Sequence, residues 1–485
     1  MTRTSAKDLI AQVLDNGQFT SWDTPPDHGD ISDSYRAALD KAREKSGVDE
    51  AVITGEGTVD GVRVAFILSE FSFLGGSIGA ATSRRIIHAI HRATAEQLPL
   101  LISPSSGGTR MQEGTPAFAM MISITTAVYR HKDAHLPFLV YLRNPTMGGV
   151  MASWGSAGHF TFAEPEALLG FLGPRVVELT TGVPMPDDVQ TGENLAEHGV
   201  IDGVVSPTQL RAAVVKIMRV LKKASISAEP RPLAQPGIPR GAWESIQITR
   251  EPGRPGVADL VRHLGHNVIK LSGTGDGRIS RATTVALARI GGRPVVLIGQ
   301  DRHHLPLGPS ALRFARRGIT LARELQLPII SIIDTPGAEL SQQAEEHGLA
   351  GSIARTLGEL VDAPVPTISV ILGQGCGGGA LAMLPADRVL AAENAWLSPL
   401  PPEGASAIIH RDTSHAPEMM EQQGVSAHAM LASGIIDGLI AETEDFIGEV
   451  LATINNTLSE LETNPERAVG REQRFRHYEH LAGIN

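Results

Sequence analysis

The chain repeats itself, and in the same order. Gln97-Leu98-Pro99-Leu100 answers Gln326-Leu327-Pro328-Ile329, an offset of 328 − 99 = 229. Gly148-Gly149 answers Gly378-Gly379 (379 − 149 = 230), and His198 to Gly203 answers Ser433 to Gly438 (437 − 202 = 235). Matches that keep their order at nearly constant spacing point to a tandem domain duplication. Two unrelated domains with similar turns would not hold register. A chain of 485 residues with 42% hydrophobic content can bury two cores. Between the copies, 224–257 lapses into Pro, Gly, Ser and charges, which is linker composition. The expected division is a domain over 1–225, a linker over 226–256 and a domain over 257–485.

Each copy reads as α/β. After a short helix over Ile10 to Phe19, stopped at Asn16-Gly17, the β-branched Ala51 to Thr54 and Val62 to Ser69 read as strands. Gly75-Gly76-Ser77 opens a helical pattern over Ile78 to Ala95. Leu98 to Ile102 reads as a buried strand, and Pro116 to Arg130 as a helix behind Gly107-Gly108. Strands alternating with helices indicate an α/β fold.

Several classes of function fall away on composition. A formal net charge of −11 with no Lys/Arg block argues against a nucleic-acid partner. No apolar run approaches the roughly 18–20 residues of a membrane span, and Met1 to Gly17 lacks a signal-peptide core. A soluble cytoplasmic protein without membrane contact is expected. Cys376 is the only cysteine, so a disulfide within the chain and a cysteine zinc site are excluded. No histidine cluster has metal-ligand spacing, and no metal is expected.

Chemistry is sought in two glycine turns. Gly373 to Ala382 holds five glycines in ten residues and follows the apolar run Val365 to Leu372. Asn144 to Ala152 follows Leu136 to Leu142 in the same way. A strand that empties into glycines and a short helix presents backbone N–H groups that can hold negative charge. The pattern also serves tight strand–helix packing. Gly373, Gly375 and Gly378 satisfy a dinucleotide fingerprint, with Glu393 at ribose-binding distance. However, only Ala380 to Pro385 is available for the crossover helix, which is too short. Gly75 to Gly79 fits the G-x-S-x-G elbow, but no alignment-free argument picks a histidine and carboxylate to serve Ser77. Cys376 is paired with Thr146 at an offset of 230, so its position calls for a small residue rather than a thiolate. The functional reading is a pair of oxyanion holes, one per domain.

The residues around these turns resemble a known family. Ser106-Gly107-Gly108-Thr109-Arg110-Met111-Gln112-Glu113-Gly114, Pro145 to Val150, Ala163-Glu164-Pro165 and Gly170 to Val176 are similar to the carboxyltransferase β-subunit of bacterial acetyl-CoA carboxylase. Ile333 to Ala338, Glu345 to Gly348, Gly378 to Ala382 and Pro402 to Ala405 look like its α-subunit. The chain therefore resembles a fused β–α carboxyltransferase over roughly Asp60 to Ile440.

The resemblance implies two tandem crotonase-like (ClpP-type) domains of spiral ββα units. It implies transfer of a carboxyl group from carboxybiotin, carried on a separate protein, to the α-carbon of an acyl-CoA. Acetyl-CoA, giving malonyl-CoA for fatty acid biosynthesis, is the expected acceptor. Propionyl-CoA or a longer acyl-CoA, or decarboxylation of a malonyl thioester, is the alternative. Carried over by motif, Gly148 and Gly149 hold the thioester oxygen, and Gly378 and Gly379 hold the biotin ureido oxygen. Biotin then serves as the base. Gly107, Gly108, Gly337 and Ala338 are substrate-binding candidates on neighbouring loops. The implied partners are a biotin carboxylase with its biotin carrier protein, and a second copy of the chain in at least a homodimer. Three features depart from the family. The four-cysteine zinc ribbon is absent, the loop Asp301 to Pro309 is shorter, and Ser341-Gln342-Gln343 replaces a glycine-containing stretch.

Overall fold

A computed structural model describes residues 3–222, 228–304, 306–464 and 466–481. The chain forms two compact units, Met1–Arg219 with Gly275–Arg278, and Val220–Thr274 with Ile279–Asn485.

In the first unit the strands are β1 (Phe19–Ser21), β2 (Val52–Val59), β3 (Val62–Ser69), β4 (Leu100–Ser103), β5 (Phe138–Leu142), β6 (Thr146–Met147), β7 (Phe160–Ala163), β8 (Leu169–Gly170) and β9 (Gly203–Val204). The main sheet runs β1-β2-β3-β4-β5-β7-β9, while β6 and β8 pair apart from it. The β2–β3 hairpin is antiparallel, and from β3 onward every step is parallel. Parallel strands need crossovers, and the helices Ala80–Ala95 and Gly114–Asp133 supply them. Because the parallel strands are buried, β4 and β5 are apolar throughout apart from Ser103.

The second unit contains β10 (Val268–Lys270), β11 (Thr283–Ile290), β12 (Arg293–Gln300), β13 (Ile329–Thr335), β14 (Thr367–Cys376), β15 (Arg388–Ala392), β16 (Trp396–Ser398) and β17 (Gly438–Ile440). Its sheet runs β10-β11-β12-β13-β14-β15-β17, with β16 on β14. The register repeats that of the first unit. Leu100 faces Phe138 and Ile329 faces Thr367, both displaced by 229 (329 − 100 and 367 − 138). Gly79 and Gly308 precede the first crossover helices, and Gln97 and Gln326, at φ 55° and 51°, turn the chain after them.

The expected linker needs correction. Of 226–256, residues 226–227 lie outside the described residues. Ala242–Arg250 is a helix whose Ala242 and Ile246 pack with Trp396 and Met420. Trp396 Nε1 donates to Thr249 Oγ1 at 2.9 Å. Arg254 donates to both Glu442 oxygens at 2.7 Å and to the Leu372 carbonyl at 2.9 Å. This segment is part of the second unit.

Candidate active site

In the first unit, β5 and β6 lead into the helix Gly148–Met151. Gly148 opens it at φ +62°, a region where a side chain is strained, and gives its N–H to the Phe171 carbonyl at 2.9 Å. The loop after β4 lies alongside. Ser106 N–H donates to Pro145 O at 2.7 Å, and Met147 N–H donates to Ser106 O at 3.0 Å. Gly108, at φ +118°, donates its N–H to Ser106 Oγ at 3.0 Å, and Gly107 donates to Gly75 O at 2.9 Å. A Cβ on Gly148 would lie 3.4 Å from the Gly108 Cα, so the two loops meet backbone to backbone. A Cβ on Gly149 would lie 3.3 Å from Thr109 Oγ1. After these commitments, the N–H groups of Thr109, Gly149 and Val150 have no acceptor among the described residues.

The second unit rebuilds this arrangement. Gly377 opens the helix Gly377–Leu381 at φ +62°, and Gly337, at φ +136°, donates its N–H to Thr335 Oγ1 at 3.2 Å. Thr335 pairs with Gly375 as Ser106 pairs with Thr146, and Leu307 bridges Ala338 as Ile78 bridges Thr109. Every one of these correspondences has an offset of 229 (377 − 148, 337 − 108, 335 − 106, 338 − 109).

The match between the halves is thereby corrected by one residue. Gly148-Gly149 corresponds to Gly377-Gly378, Val150 to Gly379, and Cys376 to Met147 rather than to Thr146. A Cβ on Gly379 would lie 2.6 Å from Leu307 Cδ2 and 3.6 Å from the Ala338 nitrogen. The N–H groups of Ala338, Gly378 and Gly379 are without acceptors among the described residues.

The structure thus brings Gly107, Gly108, Gly148 and Gly149 together in one unit, and Gly337, Ala338, Gly378 and Gly379 together in the other. Three of the expected substrate contacts, Gly107, Gly108 and Gly337, have committed their N–H groups, as has Gly148. These glycines shape the loops, and the donors are their neighbours. Thr109 went unread in the sequence, although an offset of 229 pairs it with Ala338. Gln300 also went unread. Buried at the end of β12, it donates Nε2 to the Gly379 carbonyl at 2.6 Å, and its Oε1 has no partner among the described residues.

Buried charge braces each loop differently. Arg110 donates to Glu50 at 2.5 and 3.1 Å, with both side chains fully buried. Burial alone would raise the Glu50 carboxyl, but the Arg110 guanidinium holds it below its ordinary value. Glu113 caps the helix Ala80–Ala95 through Ala80 N–H at 2.5 Å and accepts from Tyr35 Oη at 2.5 Å. In the second unit, Asp334 pairs with Arg302 and accepts Gln374 N–H at 3.0 Å. There burial prevails and raises the Asp334 carboxyl.

Two motif readings end here. Ser77 Oγ faces the Arg110 guanidinium at 3.3 Å, not an imidazole, so the elbow reading fails. Gly373 and Gly375 lie inside β14, so the dinucleotide fingerprint is not a phosphate loop. Burial pushes the Cys376 thiol up to about 11, which leaves it unreactive. No group of three His, Cys, Asp or Glu side chains able to hold a metal occurs among the described residues. What both sites offer is N–H donors without an acceptor among the described residues, on adjoining glycine loops, the kind of group that can stabilise an oxygen as it gains negative charge.

Residues 13–479 match the carboxyl transferase domain family. A probable biotin-dependent acyl-coenzyme A carboxylase beta3 subunit of Mycobacterium tuberculosis is 51% identical over 491 residues, covering 98% of this chain and 99% of that one. The acetyl-coenzyme A carboxylase carboxyl transferase subunits beta/alpha of Salinispora arenicola are 34% identical, covering 91% and 83%. The crystal structure of the transcarboxylase 12S hexamer with methylmalonyl-coenzyme A bound shares the fold, at a TM-score of 0.77 and 21% identity over 95% of this chain and 90% of that one. The two units are crotonase-like domains in tandem, and the chain belongs to the carboxyl transferase family.

Proposed function

We propose that this protein is the carboxyltransferase of a biotin-dependent acyl-CoA carboxylase, and that acetyl-CoA is its acceptor. The observation that carries the reading is the doubled donor site: two turns of one backbone design, each with unclaimed N–H groups, in one chain. A hydratase needs one such hole together with a carboxylate pair. Two holes suit a reaction in which oxygens of two different molecules gain charge.

In this reading the first unit takes the acyl-CoA. The N–H groups of Thr109 and Gly149 hold the thioester oxygen as enolate charge develops, while Gly148, Gly107 and Gly108 hold the turn open. The second unit takes biotin, and its donor set fits a ureido oxygen, which needs N–H groups and no metal. Ala338, Gly378 and Gly379 hold that oxygen, and Gln300 fixes the carbonyl behind them. Biotin, when bound, supplies the carboxyl group and the base. The chain's own contribution is orientation and electrostatic stabilisation, worth roughly 3–4 kcal/mol per donor lost.

The first unit thus serves the acyl-CoA, and the second unit, which includes the helix Ala242–Arg250, serves biotin delivered by a carrier protein from a biotin carboxylase. Self-association into at least a homodimer belongs to the same proposal. The helix Pro174–Thr181 buries none of its residues, and Leu179 is 87% exposed. Ile408 and Ile409 are bare on the helix Pro402–His410. Exposed apolar faces of this kind mark association surfaces. No helix among the described residues is long and apolar enough to cross a membrane, and a cytoplasmic location completes the proposal.

The test is the reverse reaction. Malonyl-CoA with free biocytin should give carboxybiocytin and acetyl-CoA, faster than methylmalonyl-CoA gives propionyl-CoA. Preference for methylmalonyl-CoA would overturn the acetyl assignment. Loss of carbon dioxide from malonyl-CoA with no carboxylation of biocytin would make the protein a decarboxylase instead.

A further inference from the structure

Hydroxyl side chains are frequent on the two loops of the first site, over 103–110 and 143–156, and nearly all are spent on the protein itself. Ser103 Oγ donates to the Tyr141 carbonyl at 2.9 Å, and Ser105 Oγ donates to the Asn144 carbonyl at 3.0 Å. Ser106 Oγ accepts the Gly108 N–H, and Thr146 Oγ1 donates to the Arg143 carbonyl at 2.8 Å. Ser153 Oγ donates to the Gly149 carbonyl at 2.5 Å, and Ser156 Oγ to the Met151 carbonyl at 2.6 Å. Thr109 differs. Its Oγ1 has no hydrogen-bond partner among the described residues, so its O–H donor is free.

The backbone on either side of that hydroxyl is pinned. Ile78 N–H donates to the Gly108 carbonyl at 3.0 Å, and Arg110 N–H donates to the Ile78 carbonyl at 2.9 Å. Thr109 Oγ1 faces Gly149, 3.3 Å from the place a Cβ would take there, and glycine leaves that place empty. The unclaimed N–H groups of Thr109 and Gly149 belong to the same two residues. An N–H and an O–H of one threonine can reach a single oxygen together, because both groups branch from one residue. The second unit lacks this group. An offset of 229 (338 − 109) puts the methyl of Ala338 in place of Thr109, and a Cβ on Gly378 would meet only Ile353, with Cδ1 at 2.9 Å.

We propose that Thr109 is a catalytic residue of the acyl-CoA site, its Oγ–H a third donor to the thioester oxygen beside the N–H groups of Thr109 and Gly149. The assignment rests on the acyl-CoA reading above. The threonine keeps its proton throughout; its hydrogen bond strengthens as the oxygen gains enolate charge, so it favours the transition state over the bound thioester. The acyl site then holds its oxyanion with a side chain as well as backbone, and the biotin site holds its own with backbone alone.

Three variants of the full chain test this in the reverse reaction from malonyl-CoA to biocytin. Thr109→Val keeps the shape without the hydroxyl, Thr109→Ala installs the residue type of the second unit, and Thr109→Ser keeps the hydroxyl. The Val and Ala variants should lower kcat about thirtyfold, or about 2 kcal/mol, with KM for malonyl-CoA little changed. The Ser variant should stay within about threefold of wild type. Urea unfolding midpoints should match wild type in all three, because the hydroxyl bonds to nothing in the protein. Wild-type kcat in the Val and Ala variants would overturn the proposal. So would a loss in Ala alone or an equal loss in Ser, which would assign the effect to shape, and so would a loss carried by KM or by stability. Failure of the wider reading looks different: the wild-type protein itself would carboxylate biocytin from neither malonyl-CoA nor methylmalonyl-CoA, and the proposal would fall with it.

Discussion

The two units build one backbone device with different supports. Ser106 and Thr335 do the same job, each accepting an N–H two residues on, from Gly108 and Gly337. Gly148 and Gly377 share φ +62°. Around them little else is kept. Where the first unit has Arg110, whose side chain is locked to Glu50, the second has Glu339, whose carboxylate accepts from Ser341 Oγ at 2.8 Å. Where the first has Pro145, with no N–H to give, the second has Gln374, whose N–H reaches the buried Asp334. The burial that Arg110 outweighs at Glu50 prevails at Asp334 over Arg302, and the two carboxyl groups shift in opposite directions. Duplication preserved the donors and let the scaffold diverge, as expected if the donors are the chemistry and the scaffold only holds them.

That comparison can be broken in several places. Within the first unit the largest effect is expected at Gly149, where an added Cβ would lie 3.3 Å from Thr109 Oγ1. Gly149→Val should cut kcat about 10²–10³-fold in the reverse reaction and also weaken acyl-CoA binding. Arg110→Met should leave Glu50 buried and unpaired, costing roughly 3–5 kcal/mol. Urea unfolding followed by Trp fluorescence would detect this, and a loss below about 1 kcal/mol would deny the pair its bracing role. Gln300→Leu should deprive the Gly379 carbonyl of its donor, costing about 1–3 kcal/mol and lowering kcat while acyl-CoA affinity holds. An equal loss of acyl-CoA affinity would contradict the division between the units.

The smallest effect at neutral pH concerns His131. Its ring sits between Thr94 Oγ1 at 2.9 Å and Pro137 O at 3.4 Å, and burial lowers its pKa to about 4. The unfolded chain binds this proton near pH 6.5, so the unfolded state holds more protons between those values. Stability of the first unit should therefore fall as pH drops from about 6.5 to 4. His131→Gln should flatten that part of the profile, and an unchanged slope would remove His131 as its source.

Much of the frame was legible because apolar patterning and turn chemistry are local. The run Val62 to Ser69 is a strand over just those residues, and both glycine turns lie where strands empty into short helices. Three things were not legible. Gly377-Gly378-Gly379 is degenerate as a string, so a match by eye slips by one, and only the positive φ at Gly148 and Gly377 sets the register. The helix Ala242–Arg250 hides between Pro- and Gly-rich flanks because its buried face is mostly small or polar: Ala242, Ser245, Ile246 and Thr249. The brace joining Tyr35, Glu50 and Arg110 spans 60 to 75 residues of sequence, and no local pattern announces such a pairing. The sequence pattern points to glycines, yet the unclaimed N–H groups include those of Thr109, Val150 and Ala338.

The central claim is that the two turns serve two different molecules, and Gly379→Val tests it most directly. A Cβ there would lie 2.6 Å from Leu307 Cδ2 and 3.6 Å from the Ala338 nitrogen, within the second site alone. Measured side by side, carboxyl transfer from malonyl-CoA to biocytin should disappear, while the calorimetric Kd for acyl-CoA stays within about twofold of wild type, a difference of less than 1 kcal/mol. Surviving transfer, or acyl-CoA affinity lost together with it, would contradict the account.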